Sequence, residues 1–126
     1  MSSEFNGIGN LGVIPKLTSV DVLGNGARNV ANMRIYFDRQ VPDGDNGFKD
    51  KGGFWLTVDM WGFRAEEAVR LLNKGSRVFV KGILRQESWN DDKGEERTEM
   101  RLTADYFSID TLCIDSVIYK SKTVSS

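Results

Sequence analysis

Histidine is absent from this chain of 126 residues, and cysteine occurs once, as Cys113. Without histidine, the usual general base near neutral pH and the common zinc ligand sets are excluded. One cysteine forms no internal disulfide, and its position in TLCIDSVI predicts a small buried residue rather than a reactive thiol. The composition therefore disfavours an enzyme, apart from a carboxylate-only mechanism, and we expect no metal or other cofactor.

Long hydrophobic runs are also lacking, since no apolar stretch approaches the roughly 18 to 20 residues of a membrane span. The start, MSSEFNGIGN, does not have the basic and then apolar order of a secretory signal. We therefore expect a cytoplasmic protein with no membrane partner. A Walker loop, a GxGxxG motif and internal repeats are missing as well, and the length suits one domain with its own core.

Charge of one sign is not in excess, because the net charge is -1. The distribution is uneven: Glu87 to Glu99 holds six acidic residues against two basic ones, a local balance of -4. The rest of the chain then carries +3. This asymmetry permits a basic surface outside the acidic stretch without demonstrating one.

Period-2 alternation dominates the chain and predicts an all-β protein with one short helix. The helix is expected in RAEEAVRLLN, residues 64–73, where apolar residues recur at helical spacing. The glycine- and charge-rich residues 39–53 predict a long mobile loop. The predicted strands are Phe5–Gly9, Lys16–Leu23, Val30–Asp38, Phe54–Trp61, Ser76–Trp89 and Arg97–Phe107, with a possible further strand at Thr111–Tyr119.

Strand parity separates a core face from an outer face. The expected inward residues are Ala31, Met33, Ile35, Phe37, Phe54, Leu56, Val58, Met60, Val78, Val80, Leu84, Met100, Leu102, Ala104 and Tyr106. Trp55 and Trp61 then lie on the outer face with Thr57 and Asp59. This arrangement predicts a platform on which flat ligands stack, with burial under a second layer or a subunit partner as the alternative.

The stretch WNDDKGEER, residues 89–97, places a tryptophan beside four acids. Parity puts Trp89 on an outer face with Lys81 and Arg85. Residues 91–94 supply turn formers, so we expect the acids at the tip of a projecting hairpin. Outer-face parity thus gathers all three tryptophans with Arg34, Lys81 and Arg85.

The strand order, with a helix between the third and fourth strands, is that of the OB-fold, a five-stranded Greek-key barrel. Several sequence motifs also resemble those of a known protein family. The blocks GNLG at 9–12, NVANMRI at 29–35, FWLTVDMWG at 54–62, AEEAVRLLNKGSRVFVKGILR at 65–85 and the WNDDKGEER hairpin resemble bacterial single-stranded DNA-binding proteins of the replicative type. The resemblance covers about residues 5–109.

This resemblance implies that residues 1–110 form an OB domain that binds single-stranded DNA without strong sequence preference, as a homotetramer more often than a homodimer. Residues 111–126 would be a short C-terminal extension. The family's stacking positions match Trp55, Trp61 and Trp89, and Phe79 and Tyr36 are further candidates, with burial between barrels as their alternative. The candidate phosphate contacts are Arg34, Lys49, Lys51, Lys74, Lys81 and Arg85, each of which could instead be a solvated surface charge.

Three departures from the family pattern stand out. The family often has another tryptophan at the end of the second strand, but no aromatic residue stands at Asp38 to Gln40 here, and Glu87 stands where the family commonly has an arginine. The sequence ends in SKTVSS rather than in an acidic tail with a Pro-Phe tip, the segment that recruits replication and recombination proteins. This ending resembles a paralogue carried by a mobile element, or the primosomal replication protein N. A protein-interaction module with weak DNA binding is therefore the alternative function.

Overall fold

The computed structural model describes residues 3–21, 26–42 and 48–121. Its strands are β1 (Ser3–Leu11), β2 (Lys16–Asp21), β3 (Ala27–Pro42), β4 (Phe48–Trp61), β5 (Arg77–Asn90) and β6 (Glu96–Ile109). One helix, α1 (Phe63–Leu71), lies between β4 and β5, and a single 3₁₀ turn, Thr111–Cys113, follows β6. The helix is confirmed within two residues of its expected bounds. Within the described ranges, no helix is long and apolar enough to cross a membrane.

The strands form one sheet in the order β1-β5-β6-β4-β3-β2, and an additional β1–β3 pairing closes it into a barrel. Both β1 and β2 pair antiparallel with β3, so they act as two segments of one bent strand. Strands β4 and β6 pair parallel, whereas the other neighbours are antiparallel. The mostly β, OB-type class is confirmed, and the circuit is compatible with the expected five-stranded barrel.

The core contains one face of each long strand. On β3 the residues of the core cluster are Ala31, Met33, Ile35 and Phe37, as parity predicts, and on β4 they are Leu56, Val58 and Met60. Val30 of β3 is also buried, at the opposite parity. The interior also contains Leu11, Leu72, Val78, Val80, Leu102 and Ala104, with Leu84 packed against it. Helix α1 contributes Ala65 and Ala68. Each fully buried branched side chain adds about 1.5 to 3 kcal/mol of hydrophobic stabilisation.

The predicted loop at residues 39–53 is wrong over most of its length. Strand β3 continues to Pro42 and β4 begins at Phe48, with Val41 opposite Lys49 in an antiparallel register. Residues 43–47 lie outside the described part of the chain. Apolar alternation appears in a sequence only where one face of a strand is buried. This strand pair extends away from the core, so backbone hydrogen bonds hold it together without such alternation.

Three predicted core residues lie elsewhere. Phe54 is 50% exposed at the edge of the core, where its ring contacts those of Phe5 and the buried Phe37. Met100 is exposed because the β5–β6 hairpin extends past the barrel. Tyr106 points outward because a bulge changes the parity of β6: Lys81 is opposite Tyr106, whereas Gly82 is opposite Ala104.

The predictions of a further strand at Thr111–Tyr119 and of a buried Cys113 are also wrong. The Asp110 carboxylate accepts a hydrogen bond from the Leu112 N–H at 3.1 Å, which starts a 3₁₀ turn and ends the extended conformation of β6. No strand follows Ile109 in the residues described up to 121. Cys113 is exposed within this turn rather than buried.

Candidate nucleic-acid interface

The outward side chains of β4 are Trp55, Thr57, Asp59 and Trp61, and we call them, with their outward neighbours on β3, β5 and β6, the tryptophan face. Antiparallel pairing sets Tyr36, Arg34 and Asn32 of β3 opposite Trp55, Thr57 and Asp59. Parallel pairing sets Arg101 of β6 opposite Thr57. The face therefore has a rigid backbone on both sides of β4.

Trp55 is the best-defined aromatic of this face. Its ring is 48% exposed, and the Tyr36 ring lies beside it with centroids 5.3 Å apart and planes tilted by 57°. The Arg34 guanidinium lies 5.9 Å from the Trp55 ring centroid, within cation–π range. Gly12 leaves space beneath the indole, because a Cβ there would lie 2.5 Å from its Cζ3 atom. These neighbours orient the ring while leaving much of it accessible.

The other two tryptophans differ in exposure. Trp61 is partly buried, and the Arg28 guanidinium lies 5.9 Å from its ring centroid. Trp89 is 47% exposed on the arm of the β5–β6 hairpin, opposite Arg97. It lines a shallow cleft with Glu87 and Arg101. Trp55 and Trp89 thus offer open ring surface, and Trp61 offers less.

Among the side chains that the structure describes, Asp59 is the charged one that is buried, with 3% of its surface exposed. Two hydrogen bonds of 2.9 and 2.8 Å from Arg101 reach its carboxylate, and Asn32 donates a third at 2.7 Å. Asp59 raises the pKa of Arg101 above its usual range, chiefly through these hydrogen bonds. Parity correctly placed Asp59 on the outer strand face, but its neighbours cover it.

Further charged side chains surround the Asp59–Arg101 pair. Arg85 lies opposite Arg101 and Glu87 opposite Glu99 across the hairpin, so each glutamate has an arginine as its diagonal neighbour. The Glu99 carboxylate accepts a hydrogen bond of 2.8 Å from Thr57. We call Arg34, Asp59, Arg85, Glu87, Glu99 and Arg101 the ion-pair network.

Sequence reasoning missed Arg101 and Glu99. Their odd positions on β6 have the parity opposite to buried Leu102, so alternation alone placed them outward. Alternation did not show that β4 is the strand that pairs with this part of β6. The parallel β4–β6 pairing, which joins segments over 40 residues apart, brings Arg101 against Asp59 at 2.8 Å.

The predicted phosphate contacts separate into groups. Arg34 and Arg85 lie in the ion-pair network, as the outer-face prediction requires. Lys81 lies opposite Tyr106 on the part of β5 that also pairs with β1, where the rings of Phe79 and Tyr106 are 6.4 Å apart. The structure therefore places Phe79 and Lys81 beside Tyr106 rather than beside Trp55.

The remaining three predicted contacts are lysines. Lys74 is exposed in a turn whose Gly75 N–H donates to the Leu11 carbonyl at 2.7 Å, one residue before Gly12. The turn that carries Lys74 therefore lies next to Leu11 and Gly12, the segment that borders the Trp55 ring. Lys49 and Lys51 belong to the backbone of β4, but their side chains lie outside the described part of the structure.

Asp91 builds the tip of the hairpin. One of its carboxylate oxygens accepts hydrogen bonds of 2.9 Å from the N–H groups of Lys93 and Glu95, and Arg97 donates to the other. The pKa of Asp91 is lowered, chiefly by the hydrogen bond from the Glu95 N–H and then by the hydrogen bond from the Arg97 side chain. Gly94 adopts a positive φ of 79°, which closes the turn. At least one acid of WNDDKGEER therefore shapes the turn.

Chemically, the tryptophan face offers ring surfaces, guanidinium groups and a buried carboxylate. In the described residues, no group of three or more acidic or cysteine side chains is arranged to hold a metal ion. A mostly β barrel with exposed aromatics beside arginines on one strand face has the architecture of OB barrels that bind oligonucleotides or oligosaccharides.

Comparison with known families narrows this class. The model of the single-strand binding protein family matches residues 8–110. The chain belongs to the single-strand binding protein family. A solved structure, the small single-stranded DNA-binding protein from Streptomyces coelicolor, superposes with a TM-score of 0.71 at 21% identity, covering 89% of this chain and 97% of that one. At this identity the superposition supports the fold.

Curated relatives carry the same description. The chain is 38% identical over 81 residues to the single-stranded DNA-binding protein of Corynebacterium glutamicum, and 38% over 76 residues to single-stranded DNA-binding protein 2 of Streptomyces coelicolor. Each match covers 60% of this chain, but 34% and 36% of those relatives. The Paenarthrobacter aurescens single-stranded DNA-binding protein is 35% identical over 100 residues, covering 78% of this chain and 56% of that protein. The chain thus spans about a third to just over half of these relatives.

Proposed function

We propose that this protein binds single-stranded DNA without sequence selection, by stacking bases on the tryptophan face. The observation that carries the proposal is the environment of Trp55: a half-exposed indole on a rigid strand, with a guanidinium 5.9 Å from its centroid. Membership of the family, and the names of the relatives, support the same ligand. Residues 1–110 are proposed as the binding domain.

In this proposal, Trp55 and Trp89 take the main stacking positions, and Trp61 stacks through the part of its ring that stays exposed. Base–aromatic stacking contributes about 1 to 3 kcal/mol per base and requires no hydrogen-bond code, since every base has a π face. Tyr36 supports Trp55 from the side. Phe79 lies beside Tyr106. A base that contacts Phe79 would therefore lie on a part of the DNA strand that continues around the barrel beyond the tryptophan face.

Phosphate groups of the bound strand are assigned to the cationic side chains around this face. Arg34 and Arg85 lie within the face, and Lys74 lies in the turn that hydrogen-bonds Leu11. We propose that the bound DNA continues beyond this face, where its phosphates contact Lys49, Lys51 and Lys81. Each phosphate contact releases counterions, with a slope of about -0.7 in log affinity against log salt on single strands.

We further propose that the protein is not an enzyme and acts in the cytoplasm as a homo-oligomer, a tetramer in preference to a dimer. Its process would be DNA replication, recombination or repair, for a cell or for a mobile element. The family assignment supports this general role. An oligomer presents several tryptophan faces to one strand, which raises the effective concentration of the second contact.

Titration with poly-dT, followed by tryptophan fluorescence and combined with a molar mass from light scattering, tests the proposal. We expect salt-dependent quenching, and Trp55→Ala should weaken binding about tenfold, the equivalent of one stacked base. Phe63→Ala is the matched control, because Phe63 is 89% exposed on α1 and lies outside the face. Unchanged fluorescence at low salt would refute DNA binding.

A protein-interaction module is the second candidate. It is favoured by the exposed apolar residues after β6, with Leu112 87%, Ile118 94% and Tyr119 87% exposed. Weak DNA binding that survives Trp55→Ala, together with tight binding to a purified replicative helicase or loader, would favour this function over the first.

A further inference from the structure

The arginines of the tryptophan face already have anionic partners within the chain. An Arg34 Nη1 atom lies 3.8 Å from a Glu99 carboxylate oxygen, and an Arg101 Nη1 atom lies 3.4 Å from the other. Glu87 forms ion pairs with both Arg85 and Arg101. Since the ion-pair network contains three guanidiniums and three carboxylates, it has no net charge.

The three carboxylates are not equivalent. Asp59 is buried and fully engaged by Arg101 and Asn32, which is a structural arrangement. The side chains of Glu87 and Glu99 are 38% and 31% exposed, so they meet any ligand that approaches the arginines. Glu99 lies 3.8 Å from Arg34, and Glu87 pairs with Arg85, so a phosphate that approaches either guanidinium also approaches a carboxylate.

A polyanion that offers only phosphates must therefore compete with a carboxylate for each guanidinium. Duplex DNA is stiff, with a persistence length of about 150 base pairs, and its bases are paired and stacked internally. A single strand is flexible and places unpaired bases on Trp55 and Trp89, which adds stacking free energy that the carboxylates do not oppose. Competition thus disfavours the duplex more than the single strand.

We propose that Glu87 and Glu99 are specificity determinants, which make the tryptophan face select unpaired DNA over duplex DNA and other polyanions. This inference rests on the proposed function and adds to it. The selection works through a penalty: ion pairs within the chain lower the affinity for anions that cannot stack.

The test compares Glu87→Gln, Glu99→Gln and the double variant in binding to a dT oligonucleotide, a duplex of equal length and heparin, at roughly 0.15 M salt. Glutamine keeps the shape and an oxygen acceptor for the Thr57 hydroxyl, which donates to Glu99 at 2.8 Å. We expect duplex and heparin affinity to rise about threefold to fivefold per substitution, the scale of one exposed ion pair. Affinity for dT should rise less, so the preference for single strands falls.

Glu66→Gln is the matched control, since it removes the same charge from the exposed first turn of α1, outside the network. It should leave the preference unchanged. In an Arg34→Gln background, the effect of Glu99→Gln on duplex affinity should shrink, because one competing contact is gone. Thermal unfolding of each variant verifies that the fold is retained.

Three outcomes overturn the inference. The first is an unchanged preference in both single variants, and the second is an equal loss of preference in Glu66→Gln, which would attribute the effect to net charge. Weaker dT binding in Glu99→Gln would also overturn it, since the glutamate would then position an arginine for DNA. If the wild-type protein binds no dT at all, the proposed function fails. If it binds dT with unaltered preferences in the variants, only this inference fails.

Discussion

The backbone of Gly12 lies against the indole of Trp55, and a Cβ at residue 12 would be 2.5 Å from Cζ3 and 2.6 Å from Cη2 of that ring. The Gly12 N–H also donates to the Arg34 carbonyl at 2.8 Å, which holds the segment in place. Any side chain at position 12 must therefore displace the ring rather than the backbone. The segment between β1 and β2 thus controls the position of a proposed stacking residue on β4.

Gly12→Ala should shift the Trp55 ring and weaken single-stranded DNA binding by about threefold to fivefold, less than the loss of one stacked base. Fluorescence titration with poly-dT measures the affinity, and the emission maximum reports the environment of the ring. In a Trp55→Phe background the smaller ring leaves space, so the added methyl group should have little further effect. An equal loss in both backgrounds would contradict the proposed contact.

Asp59→Ala should lower the free energy of unfolding by about 3 kcal/mol, because it leaves Arg101 without its main partner in a partly buried site. Urea denaturation measures this change. Glu67→Gln is the control: Glu67 pairs with Arg70 on the exposed surface of α1, so its replacement should produce no measurable change. Similar stabilities for Asp59→Ala and wild type would argue against a structural role for the buried carboxylate.

Trp89→Ala should weaken single-stranded DNA binding, since the exposed ring on the hairpin arm is a proposed stacking site. About one stacked base is lost, a factor of roughly ten in affinity. Asp92→Asn, at the exposed tip of the same hairpin, should leave the affinity unchanged or slightly higher. If Asp92→Asn abolishes binding, the tip itself belongs to the site.

The hairpin turn should lose order in acid. The N–H of Glu95 and the guanidinium of Arg97 lower the pKa of Asp91 in the folded protein. Because the folded pKa is depressed, the stabilisation by Asp91 is present above its ordinary value of 3.8 and is lost as pH falls through the lower folded value. An NMR titration of the Asp91 carboxyl and the Gly94 amide should show a shared midpoint below 3.8. A midpoint at or above 3.8 would disprove this stabilisation.

Alternation along the chain predicted much of the fold because burial alternates with strand parity. Met33, Ile35, Leu56 and Val58 are buried as expected, and Trp55 lies outward and half exposed. Parity failed where the backbone departs from a regular ladder. The bulge beside Lys81 and Gly82 turns Tyr106 outward. A glycine inside a strand is a signal for a bulge, but apolar alternation alone does not use it.

The candidate site was predicted in part. Trp55 and Arg34 were identified from one strand face each, and the structure brings them within cation–π range. Phe79 and Lys81 share the outer parity of β5 but lie beside Tyr106, because a barrel surface curves and one parity spans several directions. The roles proposed for all these residues in DNA binding stay predictions.

By itself, the sequence determined the β-rich class, the position of the helix, most of the core and the outward direction of the tryptophans. Each of these follows from local periodicity, which burial imposes on neighbouring residues. Only the tertiary structure decided that Asp59 is buried against Arg101, that Glu99 faces Arg34, and that Gly12 lies beneath Trp55. These contacts join residues more than 40 positions apart, and strand pairing in the closed barrel, rather than local pattern, brings them together.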